Sequence, residues 1–276
     1  MENTVKVATP ITASLIALFL LLAFGAIPVQ ATQLSHVSSS TVHTTFRQSS
    51  SSAITTVGSL NWAGYAVASS VAGSVTDVKG SFVIPTVSCN ANNAFASFWV
   101  GIDGFNSNTV EQTGVTANPC NSSFAPVGYS AWFEFFPAAP VYASASLAPG
   151  ESVSAEVKFA PSTGLFTTSI TVKSGSTTIV TLTQSQTVSG AQANSAEWIA
   201  EAPSVGGRIL PLANFGSISF TSASATIGGT TGSISASFPS STANELVMVT
   251  RGGTVKAQPS ALMSSGSSFS VTWKHA

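Results

Sequence analysis

Two glutamates of this sequence lie among aromatic and apolar residues, where a carboxyl group is suited to acid–base chemistry. Glu134 lies in the stretch Trp-Phe-Glu-Phe-Phe-Pro at 132–137, and Glu197 lies in Ala-Glu-Trp-Ile at 196–199. Apolar surroundings disfavour the ionised form of a carboxyl group and therefore raise its pKa toward the range useful for proton transfer. From this setting alone, each glutamate is either paired inside the core or part of a binding cleft. Asp103, which ends a similar apolar stretch, is a third candidate.

The histidines exclude several other reaction types. The three are His36, His43 and His275, so none lies between residues 44 and 274. A Ser-His-Asp or Cys-His catalytic group therefore cannot form in the body of the protein, and a His-based zinc site is excluded for the same reason. We expect no metal and no cofactor, and a reaction carried by carboxylates, amides and hydroxyls.

The composition indicates a β-rich protein whose surface is covered by hydroxyl groups rather than by charges. Lys and Arg number 9 and Asp and Glu number 10, so charged residues make up 7% of the chain, where about a quarter is usual. Without a basic surface, the chain is not expected to bind nucleic acid. Because 44% of the residues are hydrophobic, disorder of the whole chain is excluded as well.

Short runs of alternating apolar and polar residues predict antiparallel β-strands. The clearest runs are 152–158, 169–173 and 178–183, and the Ser-Gly-Ser sequence at 174–176 predicts a hairpin between the last two. We therefore predict an all-β fold, an antiparallel β-sandwich of two sheets with jelly-roll, concanavalin-like architecture. Further strands are predicted at 78–84, 96–102, 129–136, 197–201, 215–221, 246–250 and 269–273.

The N-terminal part is predicted to direct export. Residues 1–31 form a signal peptide or N-terminal anchor, because an apolar run at 11–27 is followed by small residues. A retained run of this length would hold the protein in a membrane, so cleavage and anchoring both stay open. The Ser/Thr-rich residues 32–57 are predicted to be a pro-segment or linker. Residues 58–276 form the predicted domain, which contains a glycosylation sequon at Asn121.

Cys89 and Cys120 are the two cysteines, and both lie in the part expected to be exported. In an oxidising compartment they are expected to form one disulfide bond that closes a loop of about 30 residues. Two buried free thiols are the alternative. Neither cysteine is assigned a catalytic role.

Six motifs occur in order along the chain. They are Asn-Trp-Ala-Gly-Tyr at 61–65, Trp-Val-Gly-Ile-Asp-Gly at 99–104, Glu-Gln-Thr-Gly-Val at 111–115, Ala-Trp-Phe-Glu-Phe-Phe-Pro at 131–137, Ala-Glu-Trp-Ile-Ala-Glu at 196–201 and Phe-Gly-Ser-Ile-Ser-Phe at 215–220. Each is a weak signal alone. In this order and spacing, the chain resembles the glutamic peptidases, or eqolisins, over about residues 60–273. Phe133, Phe135 and Phe136 stand where several fungal members have tyrosine, which bears on substrate preference and pH optimum.

The resemblance implies a secreted endopeptidase that acts in acid on proteins or peptides, as a monomer. The glutamine of the family's catalytic pair falls on Gln112 and its glutamate falls on Glu197. Glu197 would act as general base toward a water molecule, and Gln112 would stabilise the oxyanion. The two side chains are expected to face each other across a groove that admits a peptide. The positions expected to bind substrate at this groove are Asp103, Trp132, Glu134, Trp62 and Trp99.

The residues leave two other functions open. Glu134 and Glu197, surrounded by tryptophans, could form a two-carboxylate glycoside hydrolase on a sandwich fold. A non-catalytic carbohydrate-binding or surface protein is the other possibility. An aspartic peptidase is discounted, because Asp77 does not lie in a sequence setting equivalent to that of Asp103.

Overall fold

The computed structural model describes residues 47–48, 54–89, 91–118, 120 and 128–276. The predicted signal peptide or anchor at 1–31, most of the predicted pro-segment or linker at 32–57, and the sequon at Asn121 lie outside the described residues. The described residues contain no helix that is long and apolar enough to span a membrane.

The described chain consists almost entirely of β-strands, with one 3₁₀ helix, η1 (Ser264–Gly266). In chain order the strands are β1 (Arg47–Gln48), β2 (Ile54–Ser59), β3 (Trp62–Ser69), β4 (Val75–Val83), β5 (Ala96–Ile102), β6 (Val110–Ala117), β7 (Tyr129–Phe136), β8 (Val141–Tyr142), β9 (Ser152–Ala160), β10 (Leu165–Ser174), β11 (Thr177–Thr187), β12 (Ser195–Glu201), β13 (Ser204–Val205), β14 (Arg208–Ile209), β15 (Ser217–Ile227), β16 (Thr230–Gly232), β17 (Ser241–Val249), β18 (Val255–Pro259) and β19 (Phe269–Trp273). The strands predicted at 96–102, 129–136 and 269–273 are confirmed residue for residue. The predicted hairpin is confirmed by β10 and β11, whose turn places Gly175 at a φ of 58°.

The strands form two packed layers. The first layer has the order β11–β10–β9–β4–β15–β19, and the second has the order β17–β3–β12–β5–β6–β7–β8. Strand β18 pairs with both β17 and β19 and therefore joins the layers along one edge. Among the described pairs, only β2 with β17 is parallel. The predicted all-β antiparallel sandwich is confirmed, and its jelly-roll connectivity stays a prediction.

Aromatic side chains fill the space between the layers. Phe82 and Phe220 from the first layer pack near Phe98 from the second, and Trp198 is completely buried among them. Burying one such side chain fully contributes about 1.5–3 kcal/mol. Strands β9 and β10 of the first layer bury every second residue, and their outer face is rich in Ser and Thr. This is the one-sided alternation from which these strands were predicted.

The central strands of the second layer are buried on both faces. Every residue of β5, β6 and β12 is buried. Their inner face packs against the first layer, and their outer face carries a second apolar cluster. The cluster consists of Trp62, Ala66, Trp99, Val110, Trp132, Ile199 and Leu246, with Phe105, Phe136 and Tyr142 packed against it. Polar side chains on this outer face are therefore enclosed in apolar surroundings.

Strand β2 begins at Ile54, four residues before the predicted start of the domain. It pairs in parallel with β17, with Val57 opposite Leu246, and Val57 is buried. The Ser/Thr-rich composition predicted a linker for these residues. The structure differs because a strand at the edge of an existing sheet gains ladder hydrogen bonds whatever its own composition.

Cys89 and Cys120 form the predicted disulfide bond. It connects the segment before β5 to the segment after β6, where the backbone of Cys120 also bonds to Asn93 and Ala94. Closing a loop of this size contributes about 3–4 kcal/mol in the loop-entropy account. The bond therefore fixes the open end of the β5–β6 hairpin.

Candidate active site

Four positions lie in one row across the second layer. Glu197 of β12 is opposite Gly101 of β5, Gly101 is opposite Gln112 of β6, and Gln112 is opposite Glu134 of β7. Directly paired residues of neighbouring strands point to the same face of a sheet. The side chains of Glu197, Gln112 and Glu134 therefore share the outer face, as the sequence analysis predicted for Glu197 and Gln112.

Gly101 leaves a gap between Glu197 and Gln112. Their strands are two spacings apart, about 9–10 Å, and the strand between them has no side chain at this level. A Cβ atom at position 101 would lie 3.2 Å from the Cβ of Gln112 and 3.0 Å from the ring of Trp99. The row thus places a carboxyl group and an amide on either side of a space that only glycine leaves free.

Glu197 is 0% exposed, and its environment favours the protonated form. Burial raises the pKa of its carboxyl group well above the usual value, and the charges of Asp103 and Glu111 act in the same direction. The Ser195 hydroxyl and the Phe105 backbone act weakly in the opposite direction. Neither oxygen of Glu197 makes a well-formed hydrogen bond to any described residue. The carboxyl group is therefore desolvated and available for a new partner.

Gln112 is also 0% exposed, and its amide is oriented by a neighbouring carboxylate. Its Nε2 donates a hydrogen bond of 2.6 Å to Oε2 of Glu134. One N–H of the amide is used in this bond, and the second N–H stays available as a donor. Glu134 therefore holds the amide of Gln112 in the structure, and its predicted contact with substrate stays a prediction.

Asp103 holds the loop that leads into β12. Its carboxylate accepts hydrogen bonds from the backbone N–H groups of Gln192 and Ala193, at 2.7 Å each, and of Asn194, at 3.0 Å. The Thr109 hydroxyl also donates to it, at 3.4 Å. Asp103 is completely buried. This carboxylate therefore anchors the loop that leads into the strand of Glu197, and its contact with substrate stays a prediction.

Trp62, Trp99 and Trp132 lie on the same outer face. The carboxyl group of Glu201, which was not among the predicted site residues, bonds to Trp99. Trp62 and Trp99 pack edge to face with ring centroids 4.8 Å apart. Nε1 of Trp99 donates to Oε2 of Glu201 at 2.7 Å, and Asn61 donates to Oε1 of Glu201 at 3.4 Å. Burial raises the pKa of Glu201 to about 7, against these hydrogen bonds. Its spacing from Glu197 is the signal that could have found it, because residues four apart in a strand share a face.

A small cavity lies between Glu134 and Glu201. It has a volume of about 10 Å³, which is near the minimum for one water molecule. Trp132 and Tyr142 form part of its wall, together with Ser97, Thr116, Pro140 and Pro203. The cavity therefore extends the row of polar groups along the outer face, but it is too small for a peptide.

The groove that was expected to admit a peptide is closed in this structure. Phe105 packs on the outer cluster, and its backbone lies next to the carboxyl group of Glu197. Tyr142 packs on the same cluster beside Glu134 and Glu201. The reason for the closure is apolar packing, because the tryptophans and Ile199 would otherwise face solvent. The prediction that the groove is open is wrong for this state of the molecule.

Glu111 is a fourth buried carboxyl group, on the opposite face of β6 from Gln112. It is 0% exposed and packs toward the space between the layers, opposite Ile102 and Phe135. No described residue makes a hydrogen bond to either of its oxygens. Burial, with a smaller contribution from Asp103, raises its pKa to about 9. Glu111 is therefore neutral in acid and adds no negative charge beside Glu197 there.

Comparisons with known proteins agree with this arrangement. The family described as the Peptidase A4 family matches residues 60–273. Aspergillopepsin-2 of Aspergillus niger is 30% identical over an alignment of 203 residues. The match covers 63% of this chain and 66% of that protein, just under two thirds of its length.

Solved structures show the same fold. Aspergilloglutamic peptidase from Aspergillus niger is 32% identical, with a TM-score of 0.51, covering 66% of this chain and 99% of that structure. Scytalido-glutamic peptidase, solved with a transition state analog inhibitor, is 21% identical, with a TM-score of 0.62, covering 78% of this chain and 98% of that structure. The family match spans more than half of the sequence and includes every residue of the row across β12, β5, β6 and β7. This chain therefore belongs to the Peptidase A4 family, the glutamic peptidases.

Proposed function

We propose that this chain is an acid endopeptidase in which Glu197 and Gln112 hydrolyse peptide bonds without a cofactor. The observation that supports this most is the register of the second layer, in which Gly101 separates the two side chains on one face. A carboxyl group and an amide donor on either side of a position without a side chain are the groups that water activation and oxyanion stabilisation require.

The chemistry follows from the two groups. Ionised Glu197 takes a proton from a water molecule as the water oxygen bonds to the scissile carbonyl carbon. The carbonyl oxygen becomes an oxyanion and accepts a hydrogen bond from the free N–H of Gln112. Glu197 then gives its proton to the amide nitrogen, the C–N bond breaks, and the product is a carboxylic acid and an amine. The carboxylate of Glu197 is restored at the end.

Glu134 contributes by orienting the amide. Its bond to Nε2 of Gln112 fixes which side of the amide carries the donors. An amide that rotated by 180° would present its oxygen to the oxyanion and repel it. Glu134 thus acts through Gln112, as a positioning residue.

Access of a peptide requires that the cover of the outer face moves. The segments concerned are residues 104–109, which carry Phe105, and residues 137–142, which carry Tyr142. Both segments join strands of the site and lie on the surface of the second layer. Moving residues 104–109 leaves the strand pairing unchanged, whereas moving Tyr142 also separates β8 from β7. The two movements together expose the row from Glu197 to Glu134.

Export is part of the same proposal. The apolar run at 11–27 supplies a signal for secretion, and the Cys89–Cys120 disulfide is of the kind that persists in oxidising compartments. A secreted enzyme with 7% charged residues also gains little net positive charge in acid, which limits self-repulsion.

The geometry does not favour a two-carboxylate glycoside hydrolase. Glu134 and Glu197 lie on strands that are three spacings apart, about 14 Å, whereas the carboxyl groups of such enzymes are about 5–9.5 Å apart. In addition, Glu134 is already bonded to Gln112.

The proposal is tested by digesting casein at a series of acidic pH values. Glu197→Gln and Gln112→Ala are each expected to lower kcat/KM by at least about 100-fold, because the loss of one oxyanion donor costs about 2.7–4 kcal/mol. Glu245→Gln is the matched control, since Glu245 is partly exposed and bonds to Thr56 instead. Circular dichroism checks that each variant is folded. Wild-type activity in folded Glu197→Gln or Gln112→Ala would refute the assignment.

A further inference from the structure

A second groove lies apart from the candidate active site. It has a volume of about 850 Å³ and lies where the β13–β14 hairpin, the turn between β17 and β18 and the loop before β5 meet. None of the residues proposed for peptide hydrolysis lines it. A groove of this size is in the range of small-molecule sites.

Positive charge is concentrated in this groove. Arg208, Arg251 and Lys256 line it, and the described lining residues include no Asp or Glu; the terminal carboxylate of Ala276 is the one negative group there, so the groove carries a net positive charge. After residue 53 the chain has only seven Lys and Arg, so three of them lie at one place. A field of one sign in a concave surface attracts ions of the opposite sign.

Lys256 distinguishes this groove from a patch of exposed cations. Its residue is only 8% exposed, and burial lowers the pKa of its amino group. The ion pairs of the described residues are formed by Lys79 and Lys158, so Lys256 has no carboxylate partner there. A buried ammonium group is costly unless it is paired with an opposite charge. An anionic ligand bound in the groove would supply the counter-charge that Lys256 lacks.

Arg208 and Arg251 complete the set from two different turns. Arg208 lies in β14, after the glycine pair of the hairpin, and Arg251 lies in the turn between β17 and β18. Both side chains are exposed and free to bend toward a ligand. The planar guanidinium group binds the oxygens of phosphate or sulfate through two parallel hydrogen bonds.

We propose that this groove binds a small oxyanion of the phosphate or sulfate class, with Lys256 as the buried contact and Arg208 and Arg251 as the exposed contacts. The N-terminal part of the chain cannot supply the negative charge, because residues 1–53 contain a single acidic residue, Glu2. The three cations also outnumber the single terminal carboxylate of Ala276 at the groove, so we place the ligand in the surroundings of the protein.

The test is calorimetric titration of the purified protein with sodium sulfate and with sodium phosphate at pH 5, with ionic strength held constant by sodium chloride. We expect one saturable site per chain. Lys256→Met should raise the Kd by about tenfold or more, the effect of losing one charge-assisted hydrogen bond. Lys173→Gln is the matched control, because Lys173 is an exposed cation on β10, outside the groove.

A double variant, Arg208→Gln with Arg251→Gln, keeps the test valid if Lys256→Met does not fold. It should raise the Kd by a similar factor. Binding that is absent in the wild type would overturn the proposal, and so would binding weakened equally by Lys173→Gln. Binding of a glutamate-rich peptide without binding of sulfate or phosphate would also overturn it, in favour of an acidic polypeptide as partner. Peptide hydrolysis by the groove variants should stay at the wild-type level.

Discussion

Replacing Gly101 with alanine should remove activity while the fold survives, because the new methyl group enters the gap between Glu197 and Gln112. The Cβ atom would lie 3.0 Å from Trp99 and 3.2 Å from the Cβ of Gln112. These contacts require shifts of a few tenths of an ångström, and overpacking of this kind costs about 1–3 kcal/mol of stability. The methyl group would also stand between the two groups, where the reacting water molecule is proposed to bind.

We expect Gly101→Ala to lower kcat/KM for casein in acid by about 100-fold or more, comparable with the loss of an oxyanion donor. Thermal unfolding should show a folded protein with a modestly reduced Tm. Gly80→Ala is the matched control. Its Cβ would lie 3.0 Å from the ring of Trp198 and 3.3 Å from Val100, so the crowding is the same, but it lies between the layers rather than at the row.

The comparison of the two alanine variants separates chemistry from stability. If Gly101→Ala keeps wild-type kcat/KM, the gap has no function and the proposed arrangement of water and amide is refuted. If Gly80→Ala loses as much activity as Gly101→Ala, the loss reports general overpacking.

Two further predictions concern buried carboxyl groups. Glu111 has a folded-state pKa of about 9, far above its unfolded value of about 4.3, so the folded state binds more protons between these values. The contribution of Glu111 to stability should therefore be complete below pH 4 and fall by at most about 1.4 kcal/mol per pH unit up to pH 9. Glu111→Gln should make that fall shallower in urea unfolding at pH 4, 6 and 8, and equal slopes would contradict it. Asp103→Asn should cost about 2–4 kcal/mol, because the N–H groups of Gln192 and Ala193 would face an amide NH₂. Asp77→Asn, which breaks a half-exposed pair with Lys79, should change unfolding by under about 1 kcal/mol, and an equal effect of the two would argue against the anchoring of the loop.

Strands with one wet face could be predicted from their alternation, and the apolar strands β5 and β12 could be predicted although both faces are buried. The strand that was missed is buried on both faces and carries polar residues. The alternation of β9 and β10 is visible because water covers one side of them. Strand β6 was not predicted as a strand, because Glu111, Gln112 and Thr113 suggest a polar surface while the whole strand is buried. The residue types of β6 alone do not show that it is buried, because the segments that cover it are distant in the sequence.

The same limit applies to the site. The order of motifs predicted that Gln112 and Glu197 act together, and the register places them on one face. It could not predict that Asp103 bonds to residues 192–194 or that Glu201 holds Trp99, since both contacts join residues about 90 or more positions apart. Nor could it predict that Phe105 closes the groove, because a residue in a loop has no periodic pattern that fixes its position.

The closed state and the acid chemistry have one physical cause. Asp103, Glu111, Glu197 and Glu201 are all buried in or beside the second layer, while the ion pairs of the described residues lie elsewhere and are partly exposed. Without cations nearby, burial favours the protonated forms of Glu197 and Glu201, which is why the apolar cover can close over them at low cost. A general base must be ionised, however, and the carboxyl group loses its proton more readily when water reaches it and solvates the charged form. We infer that Glu197 becomes a base only when a peptide displaces the cover, so that substrate binding and activation of the carboxylate are the same event.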